Sequence, residues 1–282
     1  MSRRTTRACV SAGPTKFGAD PVTLAFALTL LALGFVGAFV AGLLGVGGAI
    51  VMIPLLLYVP PLIEVGALDI KSVAGVTMTQ VLVAATAGML AHRRHRTVNR
   101  DLAWAGGPAM AAGSLAGALV SQYVHERWLL LVFALMVTGA AFLMFVPVDG
   151  IDHTPDARQL TFSRPRAAIV SGGVGVAAGL VGAGGAFLLV PLLLVVVGVP
   201  IRVTIGSSLA ITALAATAGF VGKLVTGQVP LLPTLAVVAA AAPGAQLGAV
   251  VSRRVPPLGL RVALCVFIAT TAVRVWVDLL WR

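Results

Sequence analysis

The chain has 282 residues, 59% of them hydrophobic and only 10% charged, with a net charge of +11. An ordinary soluble domain carries about 25% charged residues, so a chain this poor in charge cannot cover a water-facing surface and belongs in lipid. Continuous apolar runs such as Val22 to Leu44 and Leu129 to Val146 exclude a β-barrel, whose strands alternate apolar and polar residues, and leave helices as the membrane-spanning form.

Residues 1–20 read as a basic tail carrying Arg3, Arg4, Arg7, Cys9 and Lys16. The apolar run after it is too long for the core of a secretory signal, so it predicts a retained first helix. A glycine-rich break follows, and then a short apolar segment, Ala49 to Val59, which is marginal for crossing and open to a re-entrant course. Three longer segments come next, at about 70–91, 102–121 and 128–147. A polar linker, 149–166, precedes the same succession: a hydrophobic segment, a glycine break, the short segment Ala186 to Val199, and longer segments at about 203–222, 230–251 and 258–280. Helices rise about 1.5 Å per residue, so each longer segment is able to cross the hydrocarbon core.

The succession repeats because the sequence does. Ala41-Gly-Leu-Leu-Gly-Val-Gly-Gly-Ala-Ile-Val-Met-Ile-Pro-Leu-Leu-Leu57 reappears from Ala178 to Leu194, an offset of 137. The stretch from Gly75 to Gly88 reappears from Gly206 to Gly219, and that from Gly113 to Ser121 from Gly244 to Ser252, both at an offset of 131. Glycines and prolines stay in register and the blocks keep their order, which chance likeness among apolar segments does not produce. The fold class predicted is an all-α polytopic membrane protein with two homologous helical halves, 20–148 and 167–282, about eight transmembrane helices, and short broken or re-entrant helices after the breaks.

Basic residues fall between the apolar runs, at Arg93, Arg94, Arg96 and Arg100 and again at Arg158, Arg164 and Arg166. This is the positive-inside pattern, so the excess charge reports topology and no nucleic-acid partner is expected. Eight spans with parallel halves place the amino terminus and both of these loops inside, but leave Arg253 and Arg254 outside. Ten spans with inverted halves bring those two inside and put Arg3, Arg4 and Arg7 outside. The eight-span arrangement is the one expected.

Gly45, Gly47 and Gly48, and their repeats Gly182, Gly184 and Gly185, are the first candidates for a substrate site. They lack the strand–helix setting of a dinucleotide loop. Close helix packing accounts for Gly113, Gly117, Gly244 and Gly248. Three glycines within four positions weaken a helix further, by up to ~1 kcal/mol each relative to alanine. Placed before a short helix, they read as an unwound break that aims free backbone N–H groups and the positive end of the helix dipole inward, an anion-binding arrangement. Pro54 and Pro191, at equivalent positions, set the angle of the short helix or sit as tolerated kinks. Hydroxyls and an amide supply the second group of candidates: Thr77, Thr79 and Gln80 in one half, Ser207, Ser208 and Thr212 in the other. Each alone reads as ordinary helix hydrogen bonding, while together they read as a paired polar lining. Gln246 is a weaker candidate.

Other chemistry finds little support. No carboxylate sits centrally in a span. Arg274 and Asp278 are four residues apart and read as a helix-face pair or as snorkelling side chains. His92, His95, His125 and His153 lie in or beside loops without metal-ligand spacing, and Cys9 and Cys265 cannot be argued into a pair. No nucleophile stands with a base. Neither an enzyme, nor a metal site, nor a cofactor is expected.

The doubled Gly-Leu-x-Gly-x-Gly-Gly-Ala…Pro-Leu-Leu-Leu element resembles that of the sulfite exporter TauE/SafE family, also called the toluenesulfonate uptake permeases. Gly206-Ser-Ser-Leu-Ala and the two Gly-x-x-x-Gly-Ala-x-Val-Ser stretches resemble it too, and the resemblance covers about residues 25–280. It implies a multi-pass permease of the bacterial-type inner membrane, built from a duplicated four-helix unit. The implied substrates are sulfur oxyanions such as sulfite or organosulfonates. Carried onto this chain, the site lies around the six break glycines with Ser207 and Ser208. One departure is that Val76-Thr77 stands where the second half has Ser207-Ser208, so the halves contribute unequally. Membrane lipid and a small anion are the expected partners, and a homo-oligomer is left open. Two alternatives stand: a permease for another solute, such as a carboxylate or a metal cation, and a membrane scaffold or assembly factor that transports nothing.

Overall fold

The computed structural model describes residues 24–44, 47–93, 98–145, 162–252 and 254–281. Within them lie ten α-helices: α1 (Leu24–Leu44), α2 (Ala49–Leu62), α3 (Ile70–Arg93), α4 (Arg100–Val120), α5 (Glu126–Phe145), α6 (Arg164–Val181), α7 (Ala186–Leu192), α8 (Ile201–Val225), α9 (Leu231–Ser252) and α10 (Pro257–Trp281). A π-helical turn, Leu193–Val197, extends α7. The basic tail and most of the 149–166 linker lie outside the described residues.

Five helices among the described residues are long and apolar enough to cross a membrane, within α1, α3, α5, α8 and α9. α4 and α6 fall short on composition: glycines dilute both, α4 opens on Arg100-Asp101, and Arg164 and Arg166 lie in the first turn of α6. Their glycines are spent on each other. A Cβ on Gly113 or Gly117 would collide with the α6 backbone at Gly172 or Val176, and one on Gly175 or Gly179 with the α4 backbone at Met110 or Ser114. The same lock joins α1 to α9, where Gly34 and Gly42 meet the backbone at Val237 and Ala245, and Gly248 meets that of Phe39. Lipid offers apolar side chains no hydrophobic gain over packing, so close backbone contact through small residues holds such pairs. α1 shows the consequence on its two faces: Gly34, Gly37, Ala38, Ala41 and Gly42 are buried, whereas Leu24, Leu28, Leu31, Phe35 and Val36 point outward.

The pairing follows a pattern. α1 packs on α9 and α4 on α6, α3 packs on α8 and α5 on α10, and α5 meets α7 as α10 meets α2. Each of these contacts joins a helix of 24–145 to one of 164–281, so the two halves interlock.

Helix directions overturn the expectation of parallel halves. Gly88 of α3 lies beside Leu209 near the start of α8, Met78 beside Gly219, and Gly75 beside Gln228 just past its end. α3 and α8 therefore run antiparallel, although they carry matching sequence blocks, and parallel halves would make them run the same way. The reason lies in the short helices. Gly48 packs on Gly37 and Ala41 of α1, and Gly66, beyond α2, packs on Phe26 at the start of α1. α2 thus folds back along α1, and its 14 residues carry the chain roughly 21 Å back to the end where α1 began. α3 then sets out in the same direction as α1. The marginal segment is a return leg, which an eight-span count omits.

Candidate functional site

The two glycine breaks meet at the middle of α3 and α8. Gly47 lies against Val81 of α3, Thr212 of α8 and Ala186, the first residue of α7; Cβ positions built on Gly47 fall 3.2 Å from Ala186, 3.5 Å from Val81 and 3.6 Å from Thr212. Gly184 lies against the same Val81 and Thr212, with Thr212 Cγ2 at 3.4 Å from its Cβ position. Gly47 and Gly184 are matching residues of the 137-offset block, and Val81 and Thr212 match at 131. One pair of break residues thus faces one pair of helix residues. Gly45 lies outside the described residues.

Local conformation explains the glycines. Gly184 sits at φ +63° and Gly48, the residue capping α2, at φ +75°; the left-handed region costs an L-residue roughly 1–2 kcal/mol. After each break the helix ladder starts late. Val51 and Met52 N–H are the first of α2 to bond back, to the Gly48 carbonyl at 3.1 and 3.0 Å, and Leu188 and Leu189 bond back to Gly185 at 3.2 and 2.9 Å. The amides of Ala49 and Ile50, and of Ala186 and Phe187, precede the ladder and lack intrahelical acceptors. They lie at the positive ends of their helices.

The polar candidates divide. Thr79 Oγ1 donates to the Gly75 carbonyl at 2.9 Å and Ser208 Oγ to that of Ile205 at 3.0 Å, ordinary bonds within their own helices. Ser207 Oγ accepts from the backbone N–H of Asn99 at 2.9 Å and ties the start of α4 to α8. Thr77 Oγ1, both amide atoms of Gln80, and Thr212 Oγ1 are buried with no hydrogen-bond partner among the described residues. Leaving such groups unsatisfied costs about 1–3 kcal/mol each, so each calls for an explanation; Ser114 and Ser171 Oγ, on α4 and α6, are in the same state. Thr77 stands one helical turn before Val81, and the Gln80 amide nitrogen lies 3.6 Å from where a Cβ on Gly37 would be. α3 and α8 thus carry the partnerless polar atoms of Thr77, Gln80 and Thr212 on the helices that the breaks face. Gln246 is exposed, away from it.

Val81, one valine in an apolar helix, carries no signal of its own in the sequence; its match to Thr212 in the repeat is the one clue to it. Arg274 does not point at the site: its guanidinium lies 5.1 Å from the ring centre of Tyr58 on α2, a cation–π contact. The side chain of Asp278 is outside the described ones. No group of three or more metal-ligating side chains occurs among the described residues.

Helices interlocked through small residues, five of them long and apolar enough to cross a membrane among the described residues, define a multi-pass membrane protein. The chain belongs to the sulfite exporter TauE/SafE family, whose model matches residues 30–275. It is 32% identical over 179 residues to a "Probable membrane transporter protein" of Xylella fastidiosa strain Temecula1, covering 62% of this chain and 65% of the relative. It is 26% identical over 221 residues to the "Probable membrane transporter protein YunE" of Bacillus subtilis strain 168, covering 73% of this chain and 81% of that one. A Haemophilus influenzae protein of the same description is 28% identical over 214 residues, with 74% and 78% covered. The match thus spans just under two thirds of the length of the Xylella relative. No solved structure matches the chain.

Proposed function

We propose that this protein is a permease for small anions of the sulfite and organosulfonate class, bound where the two glycine breaks meet. One observation carries the reading: Gly47 and Gly184, from opposite halves, face the same Val81 and Thr212, beside buried polar atoms of Thr77, Gln80 and Thr212 that lack partners. Backbone amides at the start of α2 and α7 would replace water around the anion, and the threonine hydroxyls and the Gln80 amide would complete its shell. The absence of a carboxylate from the described part of this junction favours an anion over a cation.

In the same reading the halves descend from an internal duplication and lie inverted in the membrane, with the broken segments as legs that bring the count to ten. The loops around Arg93 to Arg100, Arg158 to Arg166 and Arg253-Arg254 then share one end, which faces the cytoplasm by the positive-inside rule. Arg3, Arg4 and Arg7 fall on the other side, which counts against the rule at that one place. The glycine-locked pairs α1/α9 and α4/α6 each join the two halves, so the bodies that rock during transport are these cross-half pairs, not residues 20–148 against 167–282.

The test is flux into proteoliposomes of the purified protein, with sulfite, an organosulfonate and a carboxylate, and chloride as control. Saturable flux of the sulfur oxyanions, lost in Gly184→Val, is expected. Flux of the carboxylate alone would reassign the substrate. No flux of any solute from folded protein would leave the non-transporting scaffold as the reading.

A further inference from the structure

Lys223 is the one fully buried charged side chain among the described residues. It stands in the last turn of α8, and its Nζ donates to Ser121 Oγ at 2.7 Å, Gln228 Oε1 at 2.9 Å and the Leu180 carbonyl at 3.2 Å. All three acceptors are neutral. The one ion pair among the described residues, Arg164 with Asp101, lies elsewhere. Another cation borders the cluster: Lys71 donates to the carbonyl of Gln122, next to Ser121, at 2.9 Å. A buried ammonium without a counter-ion is costly, and neutral oxygens offset that only in part.

Its position gives the cost a use. Leu180 is two residues before Gly182, the αL residue that ends α6 and opens the second break. Gly182 packs on the carbonyl of Ala74, and the next residue of α3, Gly75, packs on the carbonyl of Gln228. The Lys223 cluster therefore stands beside the break, at the end of the molecule where α4, α6 and α8 all finish. The cluster also has a way to let the ammonium go. Gln228 Nε2 already donates to Ser121 Oγ at 3.1 Å and Thr226 Oγ1 at 2.9 Å, and Ser121 Oγ lies 3.4 Å from Gln228 Oε1. When Lys223 turns away, the Ser121 hydroxyl, which donates to the Ala118 carbonyl at 2.6 Å, is placed to swing onto Gln228 Oε1 at 3.4 Å, so that the Leu180 and Ala118 carbonyls each give up one donor.

We propose that Lys223 is a second anion-binding station, which takes a small oxyanion between the glycine junction and this end of the protein. The inference rests on the anion-permease reading. Its rival is a staple that only fastens the ends of α4, α6 and α8.

The test is the sulfite dependence of the melting temperature of the full-length protein in detergent, with sodium chloride at equal ionic strength as control. Lys223→Met keeps most of the stem and removes the charge. Gln228→Glu keeps the lysine and gives it an internal counter-ion that competes with the anion. Each variant is expected to melt without sulfite no lower than wild type and to need more than about tenfold more sulfite for half-maximal stabilisation, while Lys223→Arg stays near wild type. A fall in the sulfite-free melting temperature with an unchanged sulfite response would establish the staple and overturn the proposal. Should Lys223→Met fail to fold, Gln228→Glu decides alone, and a wild-type sulfite response in it refutes the station. Wild-type protein that responds to neither sulfite nor an organosulfonate would sink the anion-permease reading and this inference together. A wild-type response shared by both variants would sink only the inference.

Discussion

Replacing Gly184 by alanine tests whether the two halves share the junction. The substitution has two separable costs. The residue sits at φ +63°, where a Cβ costs roughly 1–2 kcal/mol. The added carbon also runs into Val81 Cγ1 of the other half, an overpacking term of about 1–3 kcal/mol. Only the second depends on Val81, so a double-mutant cycle with Val81→Ala separates them. Gly184→Ala should destabilise by about 2–5 kcal/mol alone and by only about 1–2 kcal/mol in the Val81→Ala background. The difference, at least about 1 kcal/mol, is the coupling between residues 103 positions apart in the chain. The assay is reversible unfolding in mixed detergent micelles, followed by far-ultraviolet circular dichroism, for wild type, both single variants and the double. Additivity within about 0.5 kcal/mol would show that Gly184 does not face Val81 and would refute the shared junction.

Further expectations follow from the same geometry. Thr77→Val and Gln80→Leu remove buried groups with no partner, so each should leave the melting temperature unchanged or higher while lowering flux severalfold; a stability loss without a flux loss would contradict a ligand role. Ser207→Ala removes the acceptor of the Asn99 N–H and should cost about 1–3 kcal/mol of stability with the substrate KM unchanged. Gly42→Leu should prevent the α1/α9 contact and abolish folded yield on size exclusion, whereas Gly139→Ala, with nothing within 4 Å of its Cβ position, should be tolerated and gain up to ~1 kcal/mol of stability. Cysteines placed singly at Glu64 and Gly227 should label from one side of the membrane and those at Arg100 and Arg254 from the other; labelling of Glu64 and Arg100 from the same side would contradict the helix directions.

Much of the helical layout was legible because membrane helices announce themselves by length. The segments read at about 70–91 and 203–222 correspond to α3 and α8, and the short segments from Ala49 and Ala186 start where α2 and α7 start. Of the glycines that lock α4 to α6 and α1 to α9, Gly113, Gly117, Gly244 and Gly248 were legible as small residues in register; Gly34, Gly42, Gly175 and Gly179 were not. Direction was not. Whether a 14-residue helix returns the chain to its starting end depends on where its far end packs, and the Gly66–Phe26 contact that decides it leaves no mark in hydropathy. Hydroxyls near a helix start, as at Ser207 and Ser208, do not tell a ligand from a tertiary hydrogen bond, and the structure gives Ser207 to Asn99. Lys223, one lysine near the end of an apolar run, carries no signal in the sequence, since such a side chain ordinarily snorkels; only the packing of Ser121, Leu180 and Gln228 around it makes it a buried charge.

The most direct measurement is the protection of a cysteine at the junction. In a background with Cys9 and Cys265 replaced by alanine, Thr212→Cys places a thiol where Gly47 and Gly184 meet. Its alkylation by N-ethylmaleimide would be followed in proteoliposomes with sulfite or with chloride at equal ionic strength. Slower labelling in sulfite, with a concentration dependence matching that of flux, is the predicted result. An unchanged labelling rate at sulfite concentrations that saturate flux would show that the anion passes elsewhere and would contradict a site at the two breaks.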